Sequence, residues 1–167
     1  MSQEIKPMGF KVQQKILALV ATYNIYDLAT DQQIFQAKRK MFSWTPTIII
    51  KDMAENEVAK IVSNFFFQNN WKIYAPDGAL IGEVKFPLIR FCGIKFDVML
   101  AGNTYTASDI FGYSFSAVDV NGNLGFKLDR KVFAIRDTYK VETYPPLEPV
   151  FALAAALAID SKYFQGK

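Results

Sequence analysis

Val150-Phe-Ala-Leu-Ala-Ala-Ala-Leu-Ala-Ile159 is an uninterrupted apolar run near the end of a chain whose other segments alternate like β-strands. It carries no charge and has no polar face. A helix that is apolar all round must be buried on every side, in a membrane or inside protein. Fifteen helical residues from Pro149 to Tyr163 would span about 22 Å, short of the roughly 30 Å hydrocarbon core, which favours burial inside protein over a tail anchor. Upstream, Tyr144-Pro-Pro-Leu-Glu-Pro149 ends β-pairing, because proline cannot donate to a ladder. Pro149 suits the first helical position, and Glu148 suits the positive end of the helix dipole. Asp160-Ser-Lys-Tyr163 reads as the return toward water.

The segments before the run repeat one unit, an alternating aromatic-rich strand, a turn with Asp, Asn or Gly, and a second strand. Tyr23–Asp27 leads to Gln33–Lys38, Thr47–Asp52 to Val58–Val62, Trp71–Tyr74 to Leu80–Val84, and Tyr113–Asp119 to Leu124–Leu128. Period-two alternation gives half-buried strands, and Asp-Gly or Asn-Gly supplies the positive φ of tight turns. Phe96–Leu100, Asn103–Ala107 and Tyr139–Thr143 add strands, and Leu17–Thr22 reads as strand although helical spacing also fits it. The expectation is ten to twelve antiparallel strands, since the links are too short for helical crossovers. A two-sheet sandwich has no place for an apolar helix; a closed barrel has one, and its alanines keep the helix narrow. The fold class predicted is mainly β: a closed antiparallel barrel of about 12 strands around a hydrophobic C-terminal helix at 149–163. Residues 1–9 read as a flexible tail, and 10–167 as a single domain.

Composition narrows the function. Nineteen basic and sixteen acidic residues give a net charge of +3, far from the dense positive charge of a dedicated nucleic-acid binder. Histidine is absent, which removes the commonest general base and zinc ligand and every Ser-His or Cys-His pair. With one cysteine as well, no catalytic, cofactor or metal site is expected. Cys92 forms no intramolecular disulfide and reads as a buried structural thiol, and no signal peptide is legible, so a cytoplasmic setting is expected.

Five basic residues stand out. Phe35-Gln-Ala-Lys38-Arg39-Lys40-Met-Phe42 and Phe126-Lys-Leu-Asp-Arg130-Lys131-Val-Phe133 share the pattern F-x-x-x-R-K-x-F, and Thr47 and Thr138 extend the echo. If it is structural, the barrel is two similar halves. Lys38, Arg39, Lys40, Arg130 and Lys131 together would make a basic exterior patch for anionic phospholipid head groups; as separate solvated strand ends they would only prevent edge association. On the patch reading, Arg39→Glu with Lys131→Glu leaves the fold intact. Asp119-Val-Asn-Gly-Asn123 looks like the start of a calcium loop, but Leu124 and Arg130 stand where the loop needs Gly and an acid, so a hairpin turn is expected. Asp27, Asp52, Asp77, Asp109, Asp119 and Asp137 read as turn caps. In Asn64-Phe-Phe-Phe-Gln-Asn-Asn-Trp71 the three phenylalanines are expected to pack on both faces of a barrel strand, the alternative being a surface for a partner or a membrane.

Gln14-Lys-Ile-Leu-Ala-Leu19, Tyr23-Asn-Ile-Tyr-Asp27, Lys38-Arg39-Lys40, Trp71-Lys-Ile-Tyr-Ala-Pro-Asp-Gly78, Tyr113-Ser-Phe115 and Ala152–Asp160, in this order, resemble the tubby C-terminal-like superfamily. The chain is most similar to the LURP-one-related proteins, with the phospholipid scramblases more distant. The resemblance implies a twelve-stranded barrel around a central helix. It implies function less directly: tubby domains bind phosphoinositides through exterior basic residues, and scramblases are linked to phospholipid movement and calcium. The scramblases' calcium segment and acylated cysteine-rich stretch have no counterpart here. The expectation is a non-enzymatic cytoplasmic binding domain, peripheral to the membrane if anionic lipid is its partner. The alternatives are a protein-interaction or regulatory module, or a carrier or enzyme holding a small ligand inside the barrel.

Overall fold

The computed structural model describes residues 7–40, 44–88, 94–109, 114–130 and 137–163. Twelve strands precede one helix: β1 (Met8–Leu17), β2 (Val20–Asp27), β3 (Gln33–Lys40), β4 (Thr47–Asp52), β5 (Glu57–Ser63), β6 (Asn70–Tyr74), β7 (Leu80–Lys85), β8 (Ile94–Leu100), β9 (Asn103–Asp109), β10 (Ser114–Val118), β11 (Leu124–Asp129), β12 (Thr138–Thr143) and α1 (Pro149–Tyr163). Each strand pairs with its sequence neighbours, and β12 closes the barrel on β1 through Phe10↔Val141 and Val12↔Tyr139. Alternation decides which residues face inward. On β4, Ile48 and Ile50 are buried while Ile49 lies on the outer face, and the same rule sends Tyr23, Ile61, Trp71, Val98, Phe115 and Leu128 inside.

The apolar helix fills the lumen. Glu148 carries the carbonyl that accepts the Phe151 and Ala152 amides (3.1 and 3.3 Å), and Pro149, with no amide to leave unpaired, is the first helical residue. From Ala152 to Asp160 every residue has 0% exposure. The helix packs against β5, β6, β7, β8, β11 and β12. A ligand inside the barrel would have to displace this core. Among the described residues, no helix is long and apolar enough to cross a membrane.

Four expectations change. First, Leu17–Thr22 is not one strand. Ala18, at φ 53°, and Leu19 form a tight turn, and Leu17 pairs with Val20 across it. An alanine in this left-handed region is strained by about 1–2 kcal/mol; the long β1–β2 ladder, from Phe10↔Asp27 onward, imposes it. Second, Met8 and Gly9 belong to the barrel rather than to a tail. They pair with Thr143 and Glu142, and the Gly9 carbonyl accepts the Leu28 amide at 3.0 Å. Third, Phe65–Phe67 lie in the β5–β6 connection and not in a strand, so no barrel face covers them. Fourth, the chain does not return to water at Asp160. Asp160, Ser161 and Tyr163 are 0%, 5% and 6% exposed.

The up-and-down path gives the barrel two unlike ends. At one end lie the short turns 28–32, 53–56, 75–79, 101–102 and 119–123, and the helix enters there. Asp27, Asp52, Asp77 and Asp119 cap four of these turns, each carboxylate accepting the amide two residues on, at 2.7–2.9 Å. At the other end lie the β1–β2 turn and the β3–β4, β5–β6, β7–β8, β9–β10 and β11–β12 connections, and the helix finishes among them.

Leu153→Asp or Ala155→Arg places an unpaired charge at the barrel axis, a class of change that costs about 3–5 kcal/mol or more. Either variant is expected to lose its cooperative melting transition by circular dichroism. Melting like the wild type would refute the filled barrel.

Candidate binding surface

The five basic residues singled out in the sequence do not share one surface. Lys38 and Lys40 alternate outward on β3 and are exposed, whereas Arg39 between them points into the barrel and is 5% exposed. Its guanidinium lies over the Trp71 ring, 5.4 Å from the centroid, and donates to Gln68 Oε1 at 3.3 Å. Arg130, just past β11, also turns inward; it stacks over Tyr139 at 5.2 Å and forms an ion pair with Asp160 of α1. Lys131 lies outside the described residues, as do Cys92, Phe42 and Phe133. The patch of five is therefore corrected. A strand that presents Lys38 and Lys40 to solvent must send the residue between them to the core.

The two arginines share another task. Asp160 faces Arg130, Arg39 and Asp137, and burial raises its carboxyl from the ordinary 3.8 to about 6 despite the attraction of Arg130. Beside it Ser161 Oγ and Tyr23 OH are hydrogen-bonded at 3.2 Å. Burial, with Asp160 adding to it, pushes the Tyr23 and Tyr139 phenols well above their ordinary range. Burial lowers the Arg39 guanidinium, while Tyr23 and Asp160 oppose that shift. The cluster ties the end of the helix to β2, β3, β11 and β12. The sequence echo thus has a structural counterpart: Phe35, Ala37 and Arg39 face inward on β3 as Phe126, Leu128 and Arg130 do on and beyond β11. The two positions are four strands apart through β1 and β12, not the six that equal halves would require.

On the outside, a groove of about 750 Å³ runs along β3 and β4. Val20, Thr47 and Ile49 supply its apolar part, and Lys38, Lys40 and Lys51 its cations. Lys38 stands directly across the ladder from Ile49, and Lys40 from Val20. Lys51 is drawn to Glu55 at 3.7 Å, while Lys38 and Lys40 make no ion pair among the described residues. The volume suits a small ligand; Asp52 and Glu55 line its turn end, and its other end, an apolar floor beside two unpaired ammonium groups, suits an anion with an apolar part. The sequence contains both lysines, but the groove is visible only once Ile49 is known to face outward between two strands.

The resemblance to a calcium loop dissolves in the geometry. Asp119 Oδ1 accepts the Asn121 and Asn123 amides, both at 2.9 Å, and Oδ2 accepts Asn123 Nδ2 at 3.4 Å. Asp52 caps its turn the same way through Ala54 and Asn56. These bonds hold both carboxyls below their ordinary range, the Asn123 and Asn56 amides most strongly. Among the described residues, no group of three or more His, Cys, Asp or Glu could hold a metal ion.

A family model described as LURP-one-related matches residues 8–160, from the first strand to the buried carboxylate. No curated protein matches the chain.

Two predictions follow from the inward arginines. Arg39→Glu puts a carboxylate beside Asp160 and is expected to cost about 3 kcal/mol or more, lowering Tm by about 10 °C; Lys40→Glu should stay within about 0.5 kcal/mol of wild type. Equal effects on urea midpoints would contradict the alternation. The second concerns pH. Because the folded carboxyl of Asp160 binds its proton more tightly than the unfolded one, the stabilisation is complete below about pH 4 and is lost as pH rises through about 6. Asp160→Asn has no such slope, so wild type should weaken relative to the variant between about pH 4 and 6, and the gap should be flat above 7. A gap moving the other way would mean that Arg130 outweighs burial.

Proposed function

The chain belongs to the LURP-one-related family, and from that premise we propose that it is a non-catalytic binding domain that recognises an anionic head group through the outer wall of the barrel. The observation that carries this reading is the β3–β4 groove, with Lys38 and Lys40 beside the apolar floor of Ile49 and Val20. The interior is occupied by α1, which leaves the exterior as the place for a ligand. Near-surface basic residues contribute about 1 kcal/mol each at an anionic membrane, so two lysines supply a weak, salt-sensitive interaction suited to reversible association. The reading takes the protein as cytoplasmic and peripheral, with phosphate-bearing amphiphiles as the ligand class. It needs no catalytic residue, cofactor or metal.

The test uses soluble inositol phosphates and vesicles of phosphatidylcholine with phosphatidylinositol phosphates, at low and physiological salt. Salt-sensitive binding to both, weakened about tenfold or more by Lys38→Glu with Lys40→Glu, is expected. Binding to the soluble anion but not to vesicles would identify a phosphate metabolite and not a lipid. No binding to either would overturn the proposal and point to a protein partner.

A further inference from the structure

The four exposed large aromatic side chains among the described residues, Trp44, Phe65, Phe66 and Phe67, all stand at one end of the barrel. Trp44 is 80% exposed and Phe66 81%. They touch one another, not the core: Trp44 stacks on Phe65 with centroids 5.0 Å apart, and Phe65 meets Phe66 edge-on at 4.3 Å. The β1–β2 turn at the same end adds Leu17 and Leu19, 63% and 58% exposed. The opposite end also exposes apolar residues, among them Met53, Leu80 and Val120, but no large aromatic ring.

The aromatic loop is held from beneath. Asn64 bonds Asn69 and the Asn70 amide through its side chain (2.7 and 3.0 Å), and its own amide donates to the Asn70 carbonyl at 3.1 Å. Trp71 Nε1 donates to the Gln68 carbonyl at 2.9 Å, and Lys162 Nζ at the end of the helix donates to the Phe67 carbonyl at 2.8 Å. Bonds within the loop and one from Lys162 thus fix residues 64–70, while three consecutive rings are exposed. Contiguous exposed apolar surface of this kind marks an interaction site.

Charge selects the partner. On the later strands Asp109, Asp129 and Asp137 stand at the aromatic end, while between positions 10 and 80 the acidic residues are Asp27, Asp31, Asp52, Glu55, Glu57 and Asp77, all at the short-turn end. At the aromatic end of the same strands stand Lys15 and Lys40, paired in register with Thr22 and Val20. Aromatic rings that sit at the level of lipid head groups, flanked by lysines, match the interface of an anionic bilayer. We propose that this end of the barrel docks into the surface of an anionic bilayer, with Trp44, Phe66 and Phe67 entering the head-group and upper acyl region. This goes beyond the groove and shares only Lys40 with it: the rings supply insertion, whereas Lys38 would supply head-group recognition in the groove.

The two tryptophans make the test direct, because Trp44 is exposed and Trp71 is fully buried. With mixed phosphatidylcholine–phosphatidylserine vesicles, emission should shift to the blue and be quenched by brominated acyl chains. Trp44→Phe, folded by its melting curve, should lose the shift and the quenching while still pelleting with vesicles. Phe66→Ser with Phe67→Ser should weaken partitioning about tenfold or more, since each removes a ring from the apolar phase. Pelleting with unchanged Trp44 emission would overturn insertion and leave head-group binding by the groove intact. Insertion that persists in Lys38→Glu, a groove lysine that the docking does not use, would support docking while weakening the groove. Failure to bind vesicles, with self-association that Trp44→Phe or the double serine variant abolishes, would overturn the proposal in favour of an interface between copies.

Discussion

The constraint on which the structure depends is the burial of a helix that has no polar side. In water such a segment can be satisfied only by a surrounding apolar wall, and among β architectures a closed barrel supplies one without leaving strand edges. Residues 152–159 are five alanines with Leu153, Leu157 and Ile159, so the helix is thin enough for twelve strands to enclose and still apolar at every angle. The wall in turn is largely apolar inward, with Gln14, Arg39, Ser63, Thr138 and Thr143 buried among its apolar residues. Helix and barrel are therefore one core: neither has a hydrophobic surface that makes sense without the other.

At the end where the helix finishes, this apolar core contains a charge. Asp160 has 0% exposure and is faced by Arg130 and, at longer range, Arg39, each of which stacks on an inward aromatic ring. Removing a carboxylate from water is costly, and its raised affinity for protons records that the arginines offset the cost only in part. What the cluster contributes is position: a featureless apolar cylinder could slide or rotate in its sleeve, whereas one buried ion pair fixes its depth and angle. Lys162, bonded to the Phe67 carbonyl, extends the same fixation to the aromatic loop.

Because the lumen is full, any ligand would have to meet the outside of the barrel, and the outside is polarised. Short turns capped by aspartate close one end, and longer connections carrying exposed rings form the other. The groove on β3 and β4 runs between them, with unpaired lysines toward the aromatic end and acidic residues toward the turns. The arrangement gives the barrel one chemically distinct end.

The strand pattern, the hairpins and the helix are legible in the residues alone. Alternation with Asp, Asn and Gly turns is a local signal, and the helix bounds of 149 and 163 follow from proline and from an apolar run with no period. That the charge-free run Val150–Ile159 must be enclosed is legible there too. Tertiary structure alone decided which basic residues are partners of solvent. Lys38, Arg39 and Lys40 are one cluster on paper, yet the pleat divides them, and Arg39 finds its counter-charge 121 positions away on the helix. The same holds for Asp160, which as a polar residue after an apolar run looks like a return to water until the arginines of two distant strands converge on it. Phe65–Phe67 likewise looked like core, since a strand and a loop of three rings are alike in composition. Local pattern fixes which way a side chain leaves its own strand or helix; what it meets there is set by the closure of the barrel, which brings residues far apart in the chain to one point.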